Sequence, residues 1–252
     1  MRLHVDSLGS GSPLVLLHGW GMHGGIWSRV AAQLAQHHQV HCVDLPGYGA
    51  SDCLAQYNLD AVVQALVGCF REPVNVCGWS LGGQVALRWA HLFPAQVKKL
   101  VLVASTPCFV QRDGWSSAMA ADTLEEFAAG LLHNPAQTLR RFVTLQIRGS
   151  DHERELLAEL RAILFSRGEP HARALSAGLE ILRDTDLRNH LAQIAQRALI
   201  IAGEQDRLTP LAASVYLASQ MPNGQLVTIK GAAHIPFLSH SDIFVAQVMS
   251  FL

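Results

Sequence analysis

Short continuous apolar runs alternate with helical text over the first hundred residues. Leu14-Val15-Leu16-Leu17, Gln39-Val40-His41-Cys42-Val43, Pro73-Val74-Asn75-Val76-Cys77 and Leu100-Val101-Leu102-Val103-Ala104 read as buried strands. Between them, Trp27 to Gln36, Leu59 to Phe70 and Gly83 to Phe93 carry helical spacing. Strands apolar on both faces, alternating with helices, predict a mostly parallel sheet covered by helices on both sides, an α/β fold.

The pattern then changes. From about Pro107 to Leu187 the text is amphipathic and helical, broken at Gly114, Pro135, Gly149 and Gly168-Glu169-Pro170. Strand signals return at Ala198-Leu199-Ile200-Ile201-Ala202-Gly203 and Gln225-Leu226-Val227-Thr228-Ile229. We therefore expect a core in two parts, residues 1–106 and 188–252, interrupted by a helical lid over 107–187. Ordinary crossover helices are the plainer reading. The length of the interruption favours a lid over the C-terminal sheet edge, where open α/β sheets bind ligands.

Composition narrows the class. Half of the 252 residues are hydrophobic and the formal net charge is -1, with no block of like charge. Bulk charge gives no reason to expect nucleic acid or a membrane surface as partner. No apolar run is long enough to span a bilayer, and Met1 to Asp6 lacks a signal-peptide core. The five cysteines, Cys42, Cys53, Cys69, Cys77 and Cys108, are odd in number and lack C-x-x-C spacing. That argues against a disulfide framework or a metal site and favours a reducing cytoplasm. Most of them read as buried small hydrophobes.

The chemistry centres on Gly78-Trp79-Ser80-Leu81-Gly82, a G-x-S-x-G turn between a strand and a helix. A serine hydroxyl is a poor nucleophile until a tight turn exposes it beside a base. The base needs an acid to orient it. After the strand ending at Gly203 come Glu204-Gln205-Asp206-Arg207-Leu208-Thr209-Pro210, and Asp206 is the chosen acid with Glu204 its rival. Taken alone, Asp206 is better read as a turn or helix cap. After the strand ending at Ile229 comes His234. The chain has thirteen histidines, so position carries the choice of His234 as base. His37, His38, His91, His152 and His171 read as solvated or capping residues. Serine, acid and histidine, each just after a strand, follow the order of the α/β-hydrolase fold. Two backbone N–H groups should meet the oxyanion. Leu81 supplies one, and Trp20 in His18-Gly19-Trp20-Gly21 the other. His18 is read as a structural support of that loop.

With these residues in hand, the chain resembles the α/β-hydrolase superfamily over essentially its whole length, and within it the family of methyl ester esterases acting on pimeloyl-[acyl-carrier protein]. The superfamily stretches are His18 to Gly21, Val43 to Gly49 and the Ser80 turn. Arg141 to Gln146, Gly178 to Arg188 and Ala233 to His240 also match, while Trp79, Pro107-Cys108-Phe109 and Leu179 to Leu187 are more particular to the family. Ser241 departs from it, standing where related hydrolases often carry proline. The resemblance implies the triad Ser80, Asp206 and His234, with Trp20 and Leu81 as oxyanion donors. It implies that Phe142, Val143, Thr144, Leu145 and Gln146 line an acyl channel. It also implies an acidic acyl carrier protein as partner and a role in biotin synthesis; serine acyl transfer needs no cofactor, and a monomer is the default expectation. Arg140, Arg141, Arg148, Arg154 and Arg161 are then the candidates for carrier docking. Their plainer reading is a mixed, solvated helix surface. Two other functions share the scaffold: a generalist short-chain carboxylesterase, and a ligand receptor. Haloalkane dehalogenation is disfavoured, because it wants a carboxylate where Ser80 stands.

Overall fold

A computed structural model describes all 252 residues. The strands are β1 (Val5–Leu8), β2 (Ser12–Leu17), β3 (His38–Val43), β4 (Val74–Trp79), β5 (Val97–Val103), β6 (Arg197–Gly203) and β7 (Gly224–Ile229). They form one seven-stranded sheet in the order β1-β3-β2-β4-β5-β6-β7. Only β1, paired with β3, is antiparallel. All the other pairings are parallel.

The core helices are α1 (Ser28–Leu34), α2 (Leu59–Cys69) and α3 (Leu81–Leu92), followed later by α8 (Leu211–Gln220), α9 (Pro236–Ser239) and α10 (Ser241–Phe251). Helix α1 packs on α10, while α2 packs on α3 and α3 lies along β2, β4 and β5. Every residue of β4 is buried, and Leu14 to Leu17 and Leu100 to Val103 are fully enclosed. Runs apolar on both faces are what a sheet covered on both sides requires.

Between β5 and β6 stands the helical insertion, made of α4 (Ala121–His133), α5 (Pro135–Ile147), α6 (Glu153–Leu164) and α7 (Ala172–Asp184). Its breaks fall at the punctuating residues. Asn134 Oδ1 accepts the Gln137 N–H at 3.0 Å, with Pro135 opening α5. Gly149 turns the chain at φ 90°, a region that favours glycine.

The insertion is stapled to the core. Tyr48 Oη donates to Ala174 O at 3.1 Å, and the Trp20 indole donates to Leu175 O at 2.9 Å. The His171 N–H reaches Gly47 O at 2.8 Å, and the His23 ring contacts Ile163 O at 2.9 Å. Arg167 pairs with the fully buried Asp44 at 3.0 Å and also with Asp6.

Two details depart from the sequence reading. Strand β1 is additional. His38 is buried at the start of β3 rather than solvated, because that strand runs inside the sheet between β1 and β2. Ser241 starts α10, so the missing proline leaves the last helix intact.

Candidate active site

Ser80 sits at the junction of β4 and α3 with φ 55° and ψ -117°. A non-glycine residue there is strained, and its neighbours hold it in place. Its N–H donates to Val103 O at 3.0 Å, and its carbonyl accepts from Gly83 N at 2.9 Å and Ser105 Oγ at 3.0 Å. The turn closes only because the flanking positions lack side chains. A Cβ on Gly78 would stand 2.2 Å from Gly82 O, and one on Gly82 would stand 2.4 Å from Leu17 O.

The loop after β6 brings Asp206 to the same sheet edge. Its Oδ1 accepts the N–H groups of Leu208 and Thr209 at 2.8 and 3.0 Å. Its Oδ2 accepts Thr209 Oγ1 at 2.6 Å and His234 Nδ1 at 2.8 Å. So the carboxylate both caps its turn and holds the histidine; the two readings of Asp206 are compatible. Glu204 is exposed and lies by Gly231 N and the Gln205 side chain, away from the His234 ring.

His234, in the loop after β7, is 1% exposed. Its N–H donates to Gln146 O at 3.0 Å, and its carbonyl accepts the Trp79 indole N–H at 2.8 Å. A carboxylate only accepts, so Nδ1 carries the proton toward Asp206 and Nε2 is left as an acceptor. That Nε2 is buried and has no protein partner. An unpaired nitrogen at such a depth is the condition expected of a base awaiting a substrate proton.

The Leu81 N–H begins α3, so its position leaves it without an intrahelical partner, and the Trp20 N–H is likewise unspent. Phe142 stands edge-on to the Trp20 ring at 4.9 Å and to Phe127 at 5.4 Å. Gly178 of α7 lets that helix approach: a Cβ there would meet Trp20 Cδ1 at 2.6 Å and Tyr48 Oη at 2.9 Å.

His18 takes the supporting place. One ring nitrogen contacts Gly19 O at 2.8 Å and the other accepts the Leu45 N–H at 2.9 Å. Burial lowers its pKa to about 4, against the raising effect of Gly19 O and Asp44. A neutral ring bonded at both ends has no free nitrogen for catalysis. Burial also pushes up all five thiols, Cys42 to about 12, so none is poised as a thiolate nucleophile.

The five residues expected along the acyl channel lie on α5, and a helix cannot turn five successive residues inward. Phe142, Val143 and Gln146 are buried and Leu145 is half-buried. Thr144 is exposed and its hydroxyl bonds back to Arg140 O at 3.0 Å, which removes it from the channel. The arginines are all exposed. Arg148 ends α5, while Arg154 and Arg161 share α6, so Gly149 does separate them. Arg141 pairs with Glu126 at 3.1 Å, and Arg140 lies over the Phe165 ring.

The alpha/beta hydrolase fold family matches residues 12–241. The pimeloyl-[acyl-carrier protein] methyl ester esterase of Nitrosomonas europaea is 43% identical over 244 residues, 97% of each chain. That of Chromobacterium violaceum is 42% identical over 252 residues, covering 100% of this chain and 98% of its own. The chain belongs to this family of α/β hydrolases. An esterase from Exiguobacterium antarcticum superposes with a TM-score of 0.91 at 24% identity, over 99% of this chain and 94% of that one. A bromoperoxidase from Bacillus anthracis reaches 0.88 at 20%, over 99% and 94%. At such identity they speak for the fold alone, and the family assignment comes from the methyl ester esterases.

Sequence reasoning missed several residues that pack around the candidate site. Thr209 contacts both Asp206 and, at 3.4 Å, His234 Nδ1. Ser105 holds the Ser80 carbonyl. Gly178 had a signal: glycine inside an otherwise good helix is disfavoured by about 1 kcal/mol, which points to a close approach.

Proposed function

We propose that this chain is a serine carboxylesterase that removes the methyl group from pimeloyl-[acyl-carrier protein] methyl ester, releasing pimeloyl-[acyl-carrier protein] and methanol, a step toward biotin. The observation that carries the chemistry is the buried Asp206–His234 pair, whose Nε2 has no protein partner. Full-length identity to methyl ester esterases supports the substrate.

Ser80 Oγ attacks the ester carbonyl as His234 Nε2 takes its proton. Charge gathers on the carbonyl oxygen, where the N–H groups of Trp20 and Leu81 receive it. Asp206 fixes the imidazole and stabilises the imidazolium. His234 then gives its proton to the departing methoxide oxygen, which leaves as methanol. Water enters, loses a proton to the same nitrogen and attacks the acyl-enzyme, freeing the carboxylate and Ser80. Trp79 works through the backbone: its indole holds the His234 carbonyl, while the N–H of the same residue is held by Gln146 O. Phe142, Val143, Leu145 and Gln146 form the acyl wall, and residues 107–187 act as the lid. Exposed arginines on the lid suit an acidic carrier.

The test is methanol release from pimeloyl-[acyl-carrier protein] methyl ester beside a short neutral ester, with Ser80→Ala as control. The carrier ester should be the better substrate by kcat/KM, and Ser80→Ala should lose on the order of 10⁶ in turnover, by analogy with serine protease triads. Near-normal activity of Ser80→Ala, or equal treatment of both esters, would overturn the assignment. The gene should also restore biotin-free growth to a host lacking such an esterase.

A further inference from the structure

A cavity of about 270 Å³ opens beside the loop that holds Asp206. Met119, Leu145 and Leu208 give it apolar walls, while Thr123, Arg148 and Arg207 give it polar ones. Three segments create it: residues 118–123, the end of α5 and the loop after β6. A Cβ on Gly149 would stand 3.5 Å from Gln205 Cβ, so the end of α5 is seated on the loop after β6. Leu208 is also the residue whose N–H Asp206 accepts at 2.8 Å. The cavity thus adjoins the acid's turn without belonging to the catalytic set.

Its two guanidinium groups lack compensation. The arginines that pair with carboxylates are Arg29, Arg88, Arg141, Arg167, Arg183 and Arg188. Neither Arg148 nor Arg207 forms an ion pair or a side-chain hydrogen bond. Of the carboxylates on or next to the loops after α5 and β6, Asp151 lies 3.7 Å from His240 and three others have partners of their own. Asp206 serves its turn and His234, Glu204 lies by Gly231 N and Gln205, and Glu153 accepts the Gly149 N–H. Two like charges sharing one cavity repel, and an anion between them relieves that repulsion. Guanidinium groups present fork-shaped donors suited to carboxylate or phosphate oxygens.

We propose that this cavity receives an anionic oxygen group carried on the far part of the ester substrate, with Arg148 and Arg207 as its paired binding residues. Met119, Leu145 and Leu208 cover the adjoining methylene chain. The proposal rests on the esterase reading above and adds a charge preference to it. The shared chemistry has two sources: a carboxylate ending the acyl chain, or a phosphate on the arm of a carrier thioester.

The experiment compares matched pairs of methyl esters. One pair is monomethyl pimelate and methyl heptanoate. The other is the pimelate monomethyl thioester of pantetheine with and without its 4′-phosphate. The kcat/KM ratio of anionic to neutral ester should fall on the order of tenfold from wild type to Arg148→Gln/Arg207→Gln. The change should lie in KM, and rising salt should shrink the wild-type preference. Methyl heptanoate turnover should stay unchanged. A fall in the first pair assigns the carboxylate and a fall in the second the phosphate, and either supports the site. Kd values for the same compounds in a Ser80→Ala background read the site without turnover. Arginine-dependent binding with no esterase activity in the wild type would sink the esterase reading and keep this site. Normal turnover, with ratios and Kd values unmoved by the double variant, would overturn the site alone.

Discussion

The same substitution, glycine to alanine, should have opposite consequences in two helices of this protein. Gly68 lies near the end of α2, is exposed, and has nothing within 4 Å of where a Cβ would stand. Alanine there gains helix propensity, about 0.5–1 kcal/mol, with no steric cost. Gly178 lies inside α7, where the same methyl group would stand 2.6 Å from Trp20 Cδ1 and 3.0 Å from Trp20 Nε1. Favourable carbon contacts begin near 3.5 Å, so the shortfall is about 1 Å. Overpacking of this kind costs about 1–3 kcal/mol, which outweighs the propensity gain. A chain of this size shifts by roughly 2–4 °C per kcal/mol. Gly68→Ala should therefore raise Tm by about 2 °C, while Gly178→Ala should lower it by a similar amount or more. Catalysis separates the two further. Relief of the clash displaces either α7 or the Trp20 loop, and Trp20 is the proposed oxyanion donor. A misplacement of about 1 Å is worth up to about 10²-fold in rate. We expect kcat on a p-nitrophenyl ester to fall at least about tenfold in Gly178→Ala and to stay at wild type in Gly68→Ala. Differential scanning calorimetry and steady-state kinetics on both variants are sufficient. A Gly178→Ala enzyme with raised Tm and unchanged kcat would refute the close-approach reasoning.

Acid should weaken the fold through His18. Its pKa is depressed from 6.5 to about 4, so the unfolded chain binds the proton more readily. Stability present above pH 6.5 is lost as pH falls toward 4, by up to about 3 kcal/mol, and urea titrations at pH 7, 5.5 and 4.5 read it. Asp44 adds to this at lower pH. Burial raises its pKa, but the Ala50 and Gly24 N–H groups with the His18 and Arg167 charges lower it overall, so its contribution is lost below the ordinary carboxylate range. Arg167→Ala should cost about 3 kcal/mol because it strands a buried carboxylate, whereas Arg183→Ala, which breaks an exposed pair, should leave the chemical-denaturation midpoint nearly unmoved. Asp206→Asn should drop kcat by roughly 10⁴ by favouring the wrong imidazole tautomer. A variant within tenfold of wild type across the pH profile would remove Asp206 from its role.

Strands β2 to β6 were legible as largely buried apolar runs bounded by turn residues; the edge strand β7 is only partly buried but still carries Leu226, Val227 and Ile229. Strand β1 was not, since its edge residues Val5 to Leu8, three half-buried and Ser7 exposed, carry no comparable run. The insertion was legible from its breakers. The order of Ser80, Asp206 and His234 was also legible, because a parallel sheet delivers the ends of β4, β6 and β7 to one edge. What sequence spacing did not separate was Asp206 from Glu204, two residues of one loop; hydrogen bonds to Leu208, Thr209 and His234 favour Asp206 for the proposed role. Thr144 was misplaced by reading five successive residues as a wall, against the period of the helix that carries them. The contact of Arg167 with Asp44 spans 123 positions, and no local pattern encodes a partner so distant.

The bond from the His234 N–H to Gln146 O ties the proposed base to α5 of the insertion, not to the sheet. This makes the cover a poor candidate for modular exchange. A lid transplanted from another hydrolase brings new walls, yet it must also present a main-chain acceptor at the place of Gln146. Without one, the donor would be orphaned and the imidazole loosened. Divergence of substrate range in this family is therefore expected to run through side chains of α5 while its backbone path stays fixed.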